Sequence, residues 1–375
     1  MKIGYLATTA HLSASMREGI GSTTHTYNVA RELKELGNEM AVISDRWEGD
    51  LPFEIIDGLR VYRLFRGGIV SAKRARRSLL GLFLAPFKPL SNWLLAWQSA
   101  RIVEREGCEL LLERAQSKTG GIVALLTGKP LTVEVIDNLF SRLSLEQARR
   151  VFAYTDKFFD AQTKQKVDLV SGGADLHVFR PAKEKPLYDA CYVGSFKEWD
   201  GLEDLLKAIA IARQNRPGLR VALVGTGPLF EEIRKRARER GLEENVQLLG
   251  NLSMAETVRA INASAIGLAP YNVSRSRKGE FRKYGFYFSP LKVVEYMACG
   301  KAVVATDYAL IDRLLPSGNA LVKEGDANGL AGGILRLLND PERYLVERKN
   351  LLRAKKFSWR GLAQQMNAVF EEVAR

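Results

Sequence analysis

Apolar, β-prone runs alternate with helical patterns along the whole chain, and this alternation constrains the fold more than any other feature. In the first half the runs are Ile3–Ala7, Met40–Ser44, Arg60–Leu64, Leu110–Leu112, Leu131–Val135, Val151–Tyr154 and Val167–Val170. In the second half they are Ala190–Val193, Arg220–Val224, Val246–Leu249, Ile266–Ala269, Ala302–Ala305 and Ala320–Val322. Several are apolar at every position, which suits strands covered on both faces. Between them, Leu202, Leu205, Leu206 and Ile209 follow the i, i+3, i+4, i+7 spacing of a helix. Val29, Leu33 and Leu36 share a face before Gly37, a natural helix stop. Strands separated by helices of this length form parallel βαβ units. Arg180-Pro181-Ala182-Lys183-Glu184-Lys185-Pro186 has two prolines and no apolar period, so it reads as a linker. The expectation is an α/β chain of two doubly wound, Rossmann-like domains, residues 1–182 and 183–358, facing each other across a cleft. A last helix over residues 359–375 is expected to pack back on the first domain. Ligands bind such sheets at the carboxyl ends of the strands.

A chain of 375 residues can bury two cores of this kind. Its 46% hydrophobic and 26% charged content excludes disordered and collagen-like classes. The three cysteines, Cys108, Cys191 and Cys299, form no CxxC pair, so neither a metal site nor a disulfide framework is expected. Cys191 and Cys299 sit in apolar runs and read as small buried hydrophobes. The N-terminal MKIGYLATTA lacks a signal-peptide core, and no run of about 18 apolar residues occurs. A cytoplasmic protein is therefore expected. The net charge of +13 calls for an anionic partner.

Four glycine- or cation-bearing segments stand out, the first three of them at strand ends. Gly19-Ile20-Gly21-Ser22-Thr23 precedes the first helix, where close backbone approach and a helix N-terminus suit an anion. The bland alternative is a plain strand-to-helix turn. Val193-Gly194-Ser195-Phe196-Lys197 and Val224-Gly225-Thr226-Gly227-Pro228 end successive strands of the second half, and would line one edge together. The strongest segment is Ser289-Pro290-Leu291-Lys292 with Glu295. Ser289 suits a helix N-cap and Pro290 the first helical position. Lys292 then lies in the first turn, where the helix dipole disfavours a cation unless a bound diphosphate is present. Glu295, about one turn on, could accept hydrogen bonds from ribose hydroxyls; the alternative is an amphipathic helix with two solvated charges.

The stretch from Ser289 to Val304 resembles the signature of the retaining glycosyltransferase family 4, the group 1 glycosyl transferases of GT-B fold, and the resemblance covers nearly the whole chain. Gly19 to Leu36, Ser171-Gly172-Gly173-Ala174-Asp175 with Phe179-Arg180-Pro181, Leu223 to Pro228, and Leu249-Gly250-Asn251-Leu252-Ser253 are similar to its other motifs. The resemblance implies that Glu295 contacts ribose and that backbone at Ser289, Pro290 and Leu291 holds the donor phosphates. It places Asn251 and Leu252 beside the base and brings Gly21 to the donor from the other domain. Two departures stand out. Tyr287 occupies the place of the family's first Glu, which leaves the donor sugar open, and Asp200 occupies the place of a basic residue before Gly201. Lys197 and Lys292 are then the expected phosphate cations, with Arg282 and Lys283 adding charge.

The implied reaction takes a sugar from a nucleoside-diphosphate sugar, of unread base, with retention and no essential metal or other cofactor. Glu134 near a strand end is a candidate sugar or acceptor contact, paired with Arg114, or else a structural ion-pair member. His25 on the first helix faces either the cleft or the surface. Glu134, Lys292 and Glu295 are the candidates for catalysis. Alternatives are an epimerase or hydrolase of the same architecture and a non-catalytic binder; neither half has the full fingerprint of a nicotinamide dehydrogenase.

Between Gly58 and Val103 there is no Asp or Glu but nine basic residues, including Lys73, Arg74, Arg76 and Arg77, beside Leu79–Leu84, Trp93 and Trp97. A basic cluster next to aliphatic and aromatic residues suits an anionic membrane surface and a lipid-linked or glycan acceptor. Nucleic acid is not expected, since the aromatics do not space out as a stacking platform. The expected place is the cytoplasm, peripheral on the inner face of the cell membrane.

Overall fold

The computed structural model describes residues 1–12, 21–64 and 88–374. The chain forms two units, Met1–Ser171 with Leu362–Arg375, and Gly172–Gly361.

The first unit is built on an eight-stranded sheet. Its strands are β1 (Lys2–His11), β2 (Glu39–Asp45), β3 (Phe53–Ile56), β4 (Leu59–Leu64), β5 (Leu110–Arg114), β6 (Leu131–Val135), β7 (Ala148–Ala153) and β8 (Val167–Leu169). Their order is β3-β4-β2-β1-β5-β6-β7-β8, parallel except for β3. Every apolar run named above is a strand. The strand not anticipated is β3, which pairs antiparallel with β4 through the two-residue turn Asp57-Gly58. Both turn residues have positive φ, 50° and 78°, as a tight hairpin turn of this kind requires. The helices are α1 (Gly21–Glu35), α2 (Lys88–Glu106), α3 (Gly120–Thr127), α4 (Arg142–Gln147) and α5 (Ala161–Lys164). In α1, Val29 and Leu33 are fully buried.

The second unit carries a six-stranded parallel sheet of order β11-β10-β9-β12-β13-β14. The strands are β9 (Tyr188–Val193), β10 (Val221–Val224), β11 (Val246–Gly250), β12 (Ser264–Ala269), β13 (Ala302–Thr306) and β14 (Ala320–Val322). Around them lie α6 (Leu202–Asn215), α7 (Phe230–Glu239), α8 (Met254–Asn262), α9 (Gly279–Tyr284), α10 (Leu291–Ala298), α11 (Ala309–Asp312), α12 (Ala327–Asn339) and α13 (Arg343–Lys356). Leu202, Leu205, Leu206 and Ile209 of α6 enter the core with Val221, Leu223, Ile266 and Val304. All three cysteines are buried.

The proline-rich segment read as a linker belongs to the second unit. Asn262 of α8 donates to the Arg180 carbonyl and accepts from the Ala182 N–H, and Ala174 bridges to Ser358. The final helix, α14 (Trp359–Val373), lays Leu362, Ala363, Met366 and Phe370 into the first unit. Phe370 meets Phe152 of β7 edge-on at 5.8 Å, and Asn38 donates to Asn367 at 2.7 Å. Truncating a buried aromatic typically costs about 3–5 kcal/mol. Phe370→Ala should lower the first unit's unfolding free energy by about that much, measured by urea denaturation with hydrogen exchange of β7.

Candidate active site

In the second unit, β9 and β10 lie side by side with Val193 opposite Val224, so the turns that follow them emerge together. A Cβ on Gly225 would fall 1.9 Å from the Gly194 carbonyl oxygen, so the two turns touch backbone to backbone, and Gly225 has φ +120°. Only glycine permits this approach. Gly194, Ser195, Gly225, Thr226, Asn251 and Leu252 wall a cavity of about 280 Å³ at the ends of β9, β10 and β11. All six lie in the segments singled out above. Gly227 stands behind them, where a Cβ would press on the Phe196 backbone.

α10 begins one residue later than expected. Pro290, not Ser289, holds the N-cap position, with no side-chain cap. The Ser289 hydroxyl instead donates to the Gly172 carbonyl at 3.4 Å. Lys292 in the first turn is buried, its ammonium 3.2 Å from Asp200 Oδ1 and 4.0 and 4.6 Å from the ring centroids of Tyr192 and Tyr271. Burial pushes its pKa down while the Asp200 charge acts upward. A Cβ on Gly194 would lie 2.7 Å from Nζ, so the ammonium packs directly against a residue of the cavity wall. Glu295 is half-buried, and burial pushes its carboxyl up to about 7 against the pull of Lys292. No described residue hydrogen-bonds that carboxyl.

Other expected cations stay outside this group. Lys197 is exposed, with Nζ 5.2 Å from the Trp199 ring, and Arg282 and Lys283 lie on the solvent face of α9. Tyr287 is buried in an aromatic cluster, 5.3 Å from Phe281 and 6.4 Å from Tyr284.

The first unit gathers a second polar cluster at the ends of β5, β6 and β7. Glu134 is fully buried; its Oε1 lies 2.5 Å from His25 Nε2, and its Oε2 accepts the Tyr5 hydroxyl at 3.1 Å. Tyr154 OH lies 3.4 Å from His25 Nδ1, and Arg114 donates to Thr26 Oγ1 at 2.7 Å. Burial opposes ionisation of Glu134, but His25, Arg114 and Tyr5 together hold its carboxyl below the usual range. The carboxylate considered for sugar contact therefore spends both oxygens on protein groups, and His25 is buried rather than exposed. Gly21 opens α1; Gly19, Lys73, Arg74, Arg76 and Arg77 lie outside the described residues. Among the described residues, no group of three His, Cys, Asp or Glu side chains is placed to hold a metal ion.

Glu113 is the neighbour of Arg114 in β5. Fully buried, it accepts the N–H groups of Thr119 and Gly120 at 2.7 Å each at the start of α3. An acid beside a base at the end of an apolar strand run was the available sequence signal, since adjacent strand residues point to opposite faces and both faces of this sheet are covered.

The second unit matches, over residues 188–340, the family model described as Glycosyl transferases group 1. The chain is 24% identical over 382 residues to the phosphatidyl-myo-inositol mannosyltransferase of Mycolicibacterium smegmatis, covering 94% of this chain and 90% of that protein. In fold it is similar to sucrose-phosphate synthase from Thermosynechococcus elongatus, with TM-score 0.71 and 18% identity over 99% of this chain and 98% of that one. It is also similar to Anabaena HepE in complex with UDP, with TM-score 0.69 and 16% identity over 99% and 100%. Fold, site and these likenesses define a glycosyltransferase of GT-B type. Within that class, it is the second unit that carries the group 1 glycosyl transferase match.

Glu113 and Glu295 both titrate at about 7 in the folded chain, against about 4.3 when unfolded. Between those values the folded state holds protons that the unfolded state has released, so this contribution to stability is complete below about 4.3 and disappears as pH rises through 7. Glu113→Gln keeps an acceptor for the two N–H groups and should flatten the fall in unfolding free energy between pH 5 and 7, measured by urea titration at several pH values.

Proposed function

We propose that this chain transfers a sugar, with retention of anomeric configuration and without an essential metal, from a nucleoside-diphosphate sugar bound in the second unit to a lipid-linked or membrane-associated acceptor. The observation that carries the reading is the Lys292 ammonium packed against Gly194, at the wall of a cavity formed by the turns after three neighbouring parallel strands. A departing nucleoside diphosphate accumulates negative charge, and fixed donors in a dry site stabilise it well. Lys292 and the start of α10 supply such donors. Glu295, free of protein partners among the described residues, is suited to accept ribose hydroxyls, and Asn251 and Leu252 to flank the base. HepE, similar in fold, was captured with UDP. His25 and Glu134 serve here as a positioning pair that holds the first turns of α1 against the strand ends.

The acceptor side rests on α2. Its residues Leu95, Ala96, Ala100 and Val103 are buried, yet Leu90, Trp93, Leu94 and Trp97 are exposed. Those four repeat at i, i+3, i+4, i+7, forming a second apolar stripe that faces outward, and Leu125 and Leu126 of α3 are exposed as well. No helix among the described residues is long and apolar enough to cross a membrane. An outward apolar stripe with tryptophans, following the basic cluster Lys73–Arg77, suits peripheral binding to the anionic inner face of the cell membrane. The mannosyltransferase relative is named for a phosphatidylinositol.

UDP and GDP should be screened by thermal shift. The right nucleotide at about 100 times its Kd should stabilise the protein by about 2.7 kcal/mol, and Lys292→Ala and Glu295→Ala should each reduce that shift. Transfer to a membrane extract should persist in EDTA and give a product anomer matching the donor by NMR. Donor consumption without acceptor would instead favour an epimerase or hydrolase, and nucleotide binding without any transfer would favour a binder. In flotation with anionic vesicles, the wild type should bind, while Trp93→Ser/Trp97→Ser and neutralisation of Lys73–Arg77 should each weaken binding severalfold.

A further inference from the structure

Asp200 bonds to Ser195 and Lys292 at the cavity wall and to the backbone of Lys197. It ends a 3-10 turn, Glu198–Asp200, and is 3% exposed. Its Oδ2 accepts the Ser195 hydroxyl at 3.0 Å and the Lys197 N–H at 3.2 Å, and its Oδ1 accepts from Lys292 Nζ at 3.2 Å. One carboxylate thus ties together the turn after β9 and the first turn of α10. The Lys292 ammonium has three donors. One goes to Asp200, and no other described residue accepts from it. The remaining donors sit between the Tyr192 and Tyr271 rings and the Gly194 backbone.

Resting on the donor-site reading above, we propose that Asp200 is a positioning residue for diphosphate recognition: it keeps Lys292 charged and aims its free donors at the Gly194 turn. An ammonium buried without a counter-charge loses its proton or leaves the site. With Asp200 present, the pair is neutral in the resting protein and still offers two N–H groups to incoming phosphate oxygens. Asp200 acts through Lys292 and touches no ligand itself. It is a distinct solution to the problem of placing a cation beside this turn: the charge comes from a helix on the neighbouring strand connection, and the turn itself supplies the anion that holds it.

The test uses the full chain and isothermal titration with UDP, GDP, their nucleosides and inorganic pyrophosphate. Asp200→Asn retains an oxygen acceptor for Ser195 and Lys197 but removes the charge. It should weaken the nucleoside diphosphate and pyrophosphate about tenfold, the loss of roughly one charge-assisted contact, and leave the nucleoside within about twofold. In a Lys292→Met background the same change should have no further effect on diphosphate affinity. That double variant lacks both buried charges and keeps the test available should Asp200→Asn alone not fold. Equal weakening of nucleoside and diphosphate, unchanged or tighter diphosphate binding in Asp200→Asn, or additive losses in the double variant would overturn the proposal. A wild-type protein that binds none of the diphosphates would overturn the donor-site reading itself, and this proposal with it.

Discussion

Pairing strands in parallel obliges the chain to recross a face of the sheet after every strand, and both units are organised by that requirement. In the second unit, β10 and β12 flank β9 on opposite sides, so successive connections leave from a common edge and diverge there. The turns after β9 and β10 consequently sit in backbone contact, with a gap beside them that no described side chain fills. The cavity is a consequence of topology; what is specific to this chain is the charge brought to it. Helix α10 begins at the same edge because it precedes β13, two strands from β9.

At the carboxyl edge of each sheet lies a buried acid–base pair, His25–Glu134 in the first unit and Lys292–Asp200 in the second, and the two differ in kind. His25 and Glu134 are surrounded by partners: Tyr5 and Tyr154 bond directly, and Arg114 adds its charge. A pair so completely satisfied fixes the geometry of neighbouring backbone, and removing one partner is costly because the other is left buried without its hydrogen bond. Lys292 and Asp200 are less saturated on the cation's side. The aromatic rings of Tyr192 and Tyr271 offset part of the cost of burial, but ring faces are weaker partners than phosphate oxygens. The first arrangement suits a positioning role, and the second suits a site with capacity for an anion.

Much of the fold was readable because apolar runs and helical periods report directly on burial. The edge strand β3 escaped notice because Phe53 and Ile55 are exposed, and its only firm signal is Asp57-Gly58. The donor segment was readable as a helix start, but its cap was misassigned to Ser289, since a good capping residue that bonds elsewhere looks the same in sequence. Glu134 was visible as a strand-end acid. Its burial depends on His25 and Tyr5, which lie 109 and 129 residues away, and such pairings leave no local pattern. The role of Asp200 was hidden for the same reason: its partner Lys292 is 92 residues distant.

Helix α2 shows how burial changes the meaning of composition. By sequence its tryptophans and leucines could all have been core, because a helix apolar on many sides gives no direction. The structure divides them into two stripes, and among the described residues the one containing Leu95, Ala96, Ala100 and Val103 is the one that is buried. The cation of Arg101 lies 5.0 Å from the Trp97 ring, so the outward stripe carries positive charge alongside its aromatics. Packing among the described residues leaves these large side chains exposed. Tryptophan at a boundary between water and hydrocarbon satisfies both its apolar ring and its indole N–H. A contiguous outward stripe of this kind is what the proposed membrane contact calls for.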